Sequence, residues 1–221
     1  MSHSCNAALR HAAVIAVMTL ATLAAIGNAR AAGDASFEVA YQHFRSATNG
    51  DGAALGKAGD EFDALLESEP TNPVLMAYAG ATTAMKAGAA VLPWNKLSYA
   101  EDGLALLDKS LAMLTPAHDA PIQHGTAGSL EVRFVAANTF LAVPGFMNRG
   151  ARGAKLLSEV LASPLFAQAP LPFQGTVWMR AAALATQEKR SEDARRWLNE
   201  VVSHGAPQAD KARALLGGGG T

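Results

Sequence analysis

Between residues 35 and 216 the chain repeats one local pattern: apolar positions three or four apart, polar residues on the intervening face, then a break at proline or glycine. In Ala54–Ser68, Leu55, Ala58, Phe62, Leu65 and Leu66 form the stripe, and Lys57, Asp60, Glu61, Asp63 and Glu67 fill the other side. That is the signature of a surface helix with one buried face. Pro70 stops it; Thr71 or Asn72 can accept a backbone N–H as N-cap, and Pro73 suits a first helical turn because its missing N–H has no partner there. The stretch from Ala58 to Ala87 therefore reads as the junction of two helices.

The same reading applied along the chain predicts a helix over Asp34–Ser46, with Phe37, Ala40, Tyr41 and Phe44 on one face and a turn at Asn49-Gly50-Asp51-Gly52. The helix from Pro73 fades at Gly88 and carries a strip of small residues, Ala77, Gly80, Ala81 and Ala84, that lets a neighbour approach closely. A connector Gly88–Lys96 leads to a helix from Tyr99 to Leu114 with Leu104, Leu107, Leu111 and Leu114 as its stripe. Ala117–Gly128 is polar and reads as a surface loop. Leu130–Val143 is apolar almost all round, which places it centrally. A loop through Gly153, a helix Ala154–Ala162 and a proline-rich connector lead to a last hairpin, Phe173–Glu188 and Glu192–His204, followed by a short helix Gln208–Leu216. Residues 217–221 are mostly glycine and read as a disordered tail. Four irregular helical hairpins and an all-α class follow.

Composition sharpens this in one respect: the chain is 50% hydrophobic but only 6% aromatic, so the core must rest largely on Ala, Leu, Val and Met. Alanine in such quantity favours helix. The first residues do not fit the pattern. Arg10 and His11 precede an apolar run from Ala12 to Ile26, and Ala29-Arg30-Ala31 supplies a small-x-small cleavage site. The run is about 15 residues, short of the ~20 that span a bilayer, so residues 1–31 read as a cleaved signal peptide and not as an anchor. Export to a periplasm or to the exterior is expected. Losing Arg10 and Arg30 leaves 16 basic against 19 acidic residues, moving the net charge from −1 to −3, and also removes Cys5, the only cysteine. Such a chain is not basic enough to suggest nucleic acid or anionic lipid as its main partner, and it has no thiol for disulfides or catalysis.

At the last hairpin, Trp178, Ala182, Ala194, Leu198 and Val201 stand at the spacing of a tetratricopeptide repeat, and Ala58, Phe62, Leu65 and Pro70 match the second half of that pattern. The chain thus resembles the tetratricopeptide-repeat family over residues 35–216. The middle hairpins lack the aromatic and proline signatures, and the corresponding small positions Ala58, Gly103, Ala154 and Ala194 lie roughly 40 to 50 residues apart where the family repeat is about 34. The resemblance implies a solenoid of about four hairpins and a non-catalytic protein or peptide binder. A generic helical bundle is the other architecture the pattern allows.

Candidate binding residues come from position. Connectors Gly88–Lys96 and Val143–Gly153 each join the first helix of a hairpin to its second, so they should emerge on one edge of a stack, bringing together Trp94, Phe146, Met147, Arg149 and Arg152 as an apolar cluster flanked by cations. Arg133 and Asn138 lie in the most apolar helix and could face a groove, where they would grip a carboxylate or a backbone. His118, Asp119 and His124 share a loop but match no metal-ligand spacing, and no cofactor motif is present. The acid pairs Asp60-Glu61, Glu101-Asp102 and Glu192-Asp193 read as solvated helix faces. The expected function is a helical-repeat adaptor or assembly factor of a bacterial cell envelope. A small-molecule or hydrolytic bundle protein using the groove around Arg133 is the reading from another class.

Overall fold

The computed structural model describes residues 34–218, and over these the chain is all-helical. The helices are α1 (34–48), α2 (Gly52–Ser68), α3 (Pro73–Ala89), α4 (Pro93–Ala112), α5 (Gly128–Ala142), α6 (Gly150–Ala162), α7 (Leu171–Gln187), α8 (Ser191–Ser203) and α9 (Ala209–Gly218). Among the described residues the only β pairing is an isolated bridge, Pro121 to Ala127, which closes the loop between α4 and α5. That loop carries two 3-10 turns, Pro116–Asp119 and Gln123–Gly125. The expected signal peptide lies outside the described residues. The expected glycine tail begins inside α9, which runs to Gly218.

Local chemistry sets most boundaries. Asp51 caps α2, its carboxylate accepting from the amides of Ala53 and Ala54 at 2.9 and 3.1 Å. Asn72 caps α3 by accepting from Val74 and Leu75, with Pro73 at the first position. Two expected connectors are shorter than the sequence suggests. α4 begins at Pro93, so the α3–α4 link is only residues 90–92, and α6 begins at Gly150. In both places a helix starts before its apolar stripe finds a core, and a stripe-based reading registers only the packed turns.

Packing follows chain order. α3 packs against α2, α4 and α5; α5 against α4 and α6; α7 against α6 and α8; and α8 against α9. The odd-numbered helices also touch in series. Phe37 of α1 meets Tyr78 of α3 edge-on at 5.7 Å, and Tyr78 donates to Glu131 of α5. Phe134 of α5 meets Phe173 of α7 at 5.4 Å. α5 is buried almost all round, Arg133 and Asn138 being its half-buried residues before the last turn.

Close approach depends on glycine. A Cβ added at Gly103 would lie 2.5 Å from the backbone N of Ala84 and from the carbonyl oxygen of Gly80, and one at Gly80 would lie 2.8 Å from the carbonyl of Gly103. The pair sets the distance between α3 and α4. Glycine in a helix costs up to ~1 kcal/mol relative to alanine, a cost offset here by helix contact. The aromatic side chains are not spread evenly: Phe37, Tyr41, Phe44, Phe62 and Tyr78 form one cluster where α1, α2 and α3 meet, with Phe62 and Tyr78 stacked at 4.7 Å. In the last hairpin Trp178, Ala182, Ala194, Leu198 and Val201 are all buried.

Candidate functional site

The residues singled out by position divide into three places. At the α5–α6 turn, Gly145–Met147 form a single 3-10 turn and Asn148 follows in the left-handed region at φ 55°. Phe146 stands 74% exposed at its apex, while Met147 packs partly against the core. Arg149 and Arg152 do not project freely. Both donate to Asp108 of α4, Arg149 at 2.9 Å, and both guanidinium groups lie over the Phe140 ring at 5.4 and 5.2 Å. Each stacked cation of this kind contributes about 0.5–1 kcal/mol at a partly exposed site. The three side chains clamp the base of the turn to α4, and Phe146 stands uncovered at its apex.

Trp94 lies elsewhere. It sits in the first turn of α4, 14 residues before Asp108, which at 1.5 Å per residue sets it about 20 Å along the helix from the clamp. It is 66% exposed and belongs with Val91, Leu92, Leu97 and Tyr99 at the tip of the α3–α4 hairpin.

Arg133 and Asn138 are five residues apart and therefore about 140° apart around α5. The Arg133 guanidinium donates to the carbonyl of Ser129 in its own helix at 3.2 Å. Asn138 lies where Arg180 of α7 reaches across, donating to the Asn138 carbonyl at 3.4 Å. Burial lowers the Arg180 pKa, and its Nε is buried without a hydrogen-bond partner.

The strongest electrostatic feature is one that sequence reasoning passed over. Glu131 of α5 is 4% exposed and accepts from the Tyr78 hydroxyl at 2.5 Å through Oε1, while Oε2 is buried with no partner. Burial pushes its carboxyl up to about 7, the Tyr78 hydrogen bond opposing that rise. Tyr78 is held well above the ordinary phenol range by burial and then by the Glu131 charge, and Tyr41 is raised for the same two reasons. His124, in the left-handed region at φ 63°, closes this cluster from the α4–α5 loop. Its ring lies 4.5 Å from that of Tyr41 and 5.5 Å from that of Phe37, and Nδ1 is 3.2 Å from Glu38. The signal was present in the sequence: an acid directly after Leu130 in the most apolar helix.

The loop histidines and Asp119 go to separate partners. Asp119 accepts from Ser129 at 2.5 Å, His118 accepts from the Thr115 amide, and His124 faces the aromatic cluster. Of the acid pairs, Glu61 binds His43 across α1 and α2 at 2.8 Å, and Asp193 binds Arg190. His204 is half exposed, and its ring packs on Trp178 at 4.8 Å. Among the described residues no helix is long and apolar enough to cross a membrane. Comparison with protein-family models, with curated proteins and with solved structures found no match to this chain.

Proposed function

We propose that this protein is exported and works in a bacterial cell envelope, periplasmic or outside the cell, as a tetratricopeptide-like adaptor that binds another protein or a peptide. The serial contacts of α1, α3, α5 and α7, and the helix spacing set by Gly80 and Gly103, support a stack of hairpins offering a surface. The observation that carries the binding role is Phe146: a large ring held out in solvent on a turn whose base is fixed by the Asp108 clamp. An aromatic carried on a turn whose base is held leaves less backbone freedom to be lost on binding, which favours an anchor residue. Arg152, 43% exposed, is held by Asp108 and the Phe140 ring, so its part is to fix the base of the turn. The test is a photo-reactive phenylalanine analogue placed at Phe146 in the producing cells. Attachment to one discrete partner from position 146, and none from the exposed position Arg195 of α8, is expected. Equal attachment from both positions, or none from 146, overturns the proposal.

A further inference from the structure

The tip of the α3–α4 hairpin has a different character from the Phe146 turn. Every residue from 91 to 99 is exposed, in a run that includes Val91 at 88%, Trp94 at 66%, Leu92, Leu97 and Tyr99. This is not a groove: exposed side chains follow one another along the link and the first two turns of α4, most openly at Val91 and Trp94, with Leu92, Leu97 and Tyr99 38–45% exposed. A protein partner would need a matching socket, whereas a fluid apolar layer can surround such a projection.

Three further features point the same way. Residues 93–99 of α4 rise about 10 Å, so an element entering tip-first would reach no deeper than the interfacial zone of a bilayer. Trp94 and Tyr99 combine an apolar ring with a polar edge, the pairing suited to the headgroup level of a bilayer, behind Val91 and Leu92 at the extremity. The charge is also of one sign. Between Pro70 and Ala100 there is no Asp or Glu, and Lys96 is the single charged residue of the exposed run, the nearest acids being the exposed Glu101 and Asp102 in the next turn of α4. Leu92 at the N-cap offers no side-chain acceptor, so the positive end of α4 adds to the Lys96 charge.

We infer that the α3–α4 tip is a membrane-contact element, which seats Val91, Leu92, Trp94 and Leu97 in the interfacial zone of a lipid bilayer with Lys96 among its phosphates. It docks the protein on a lipid surface without spanning it and leaves the Phe146 turn free for a partner.

The experiment uses the full chain with vesicles of phosphatidylcholine and phosphatidylglycerol, and reads Trp94 as the difference between the unaltered protein and Trp94→Phe. This isolates it from Trp178, which is buried, and from Trp197. Vesicles should shift Trp94 emission to the blue, and lipids brominated near the glycerol end of the acyl chain should quench it. Leu97→Glu should abolish both effects, and Lys96→Glu should weaken partitioning roughly tenfold on the anionic vesicles. Both substitutions fall on exposed side chains, so folding is retained. Two results overturn the inference. One is vesicle binding that leaves Trp94 unquenched, which would assign it to residues 12–26 or another surface. The other is a Trp94 shift that follows protein concentration and not lipid, which would make the tip a contact between copies.

Discussion

Replacing Glu131 by glutamine should change how stability depends on pH. Glu131 is the buried acid of the cluster; its carboxyl is raised from an ordinary 4.5 to about 7 in the folded protein, with burial as the main cause. Below pH 4.5 the group is protonated in both folded and unfolded chains and contributes no pH dependence. Between 4.5 and 7 the folded protein keeps a proton that the unfolded chain has released, so stability falls as pH rises; above 7 both states are ionised and the penalty is complete. At 1.36 kcal/mol per unit, the full penalty is about 3 kcal/mol, of which roughly 2–3 kcal/mol develops between pH 5 and pH 8. Glutamine keeps the shape and can still accept from the Tyr78 hydroxyl. Its amide N–H groups fall where Oε2 has no partner, at a cost of about 1–3 kcal/mol that does not vary with pH. Urea unfolding of both proteins at pH 5, 6, 7 and 8 gives the difference directly, and the histidines, common to both, drop out of it. Glu131→Gln should be the less stable protein at pH 5 and should gain on the unaltered protein by roughly 2–3 kcal/mol by pH 8. A difference constant across that range would refute the assignment of Glu131 as a buried acid titrating near neutrality.

Other consequences concern packing. Gly103→Ala forces a Cβ to 2.5 Å from two backbone atoms of α3, so α3 and α4 must separate; a loss of about 1–3 kcal/mol in chemical unfolding is expected. Gly88→Ala, in the same helix pair but with nothing within 4 Å of the new methyl, should be neutral or stabilise by up to ~1 kcal/mol. Trp178→Ala should cost about 3–5 kcal/mol, measured the same way, because the ring is buried against Phe166 and His204. Asp108→Ala should cost ~1 kcal/mol or less globally, its partners being partly exposed, yet hydrogen exchange should quicken across residues 145–152, where the turn loses its clamp.

Helix positions were legible because the physics that sets them is local. Asn72 and Pro73 mark the start of α3 by capping chemistry alone, and the small residue at Gly80 announces the close approach later found against Gly103. The start of α4 was not legible, because Pro93–Tyr99 is helical without a buried stripe. Nor did spacing reveal that five aromatics separated by up to 41 residues gather at one end, or that Asp108 reaches Arg149 and Arg152. Those are contacts between distant parts of the chain, and helical periodicity carries no information on which stripe meets which. Glu131 differs: an acid in an all-round apolar helix is a visible conflict between local pattern and charge, and the fold resolves it through Tyr78.

The account rests on hairpins laid side by side along the chain, and one distance tests that arrangement. Spin labels at Asn49→Cys and Gln187→Cys, with Cys5→Ser, mark the ends of the first and last hairpins. Neighbouring helices pack 8–10 Å apart, so three steps of the stack should separate the labels by roughly 25–30 Å in a pulsed electron-spin measurement. A separation near 15 Å, as expected of helices gathered about a single axis, would contradict it.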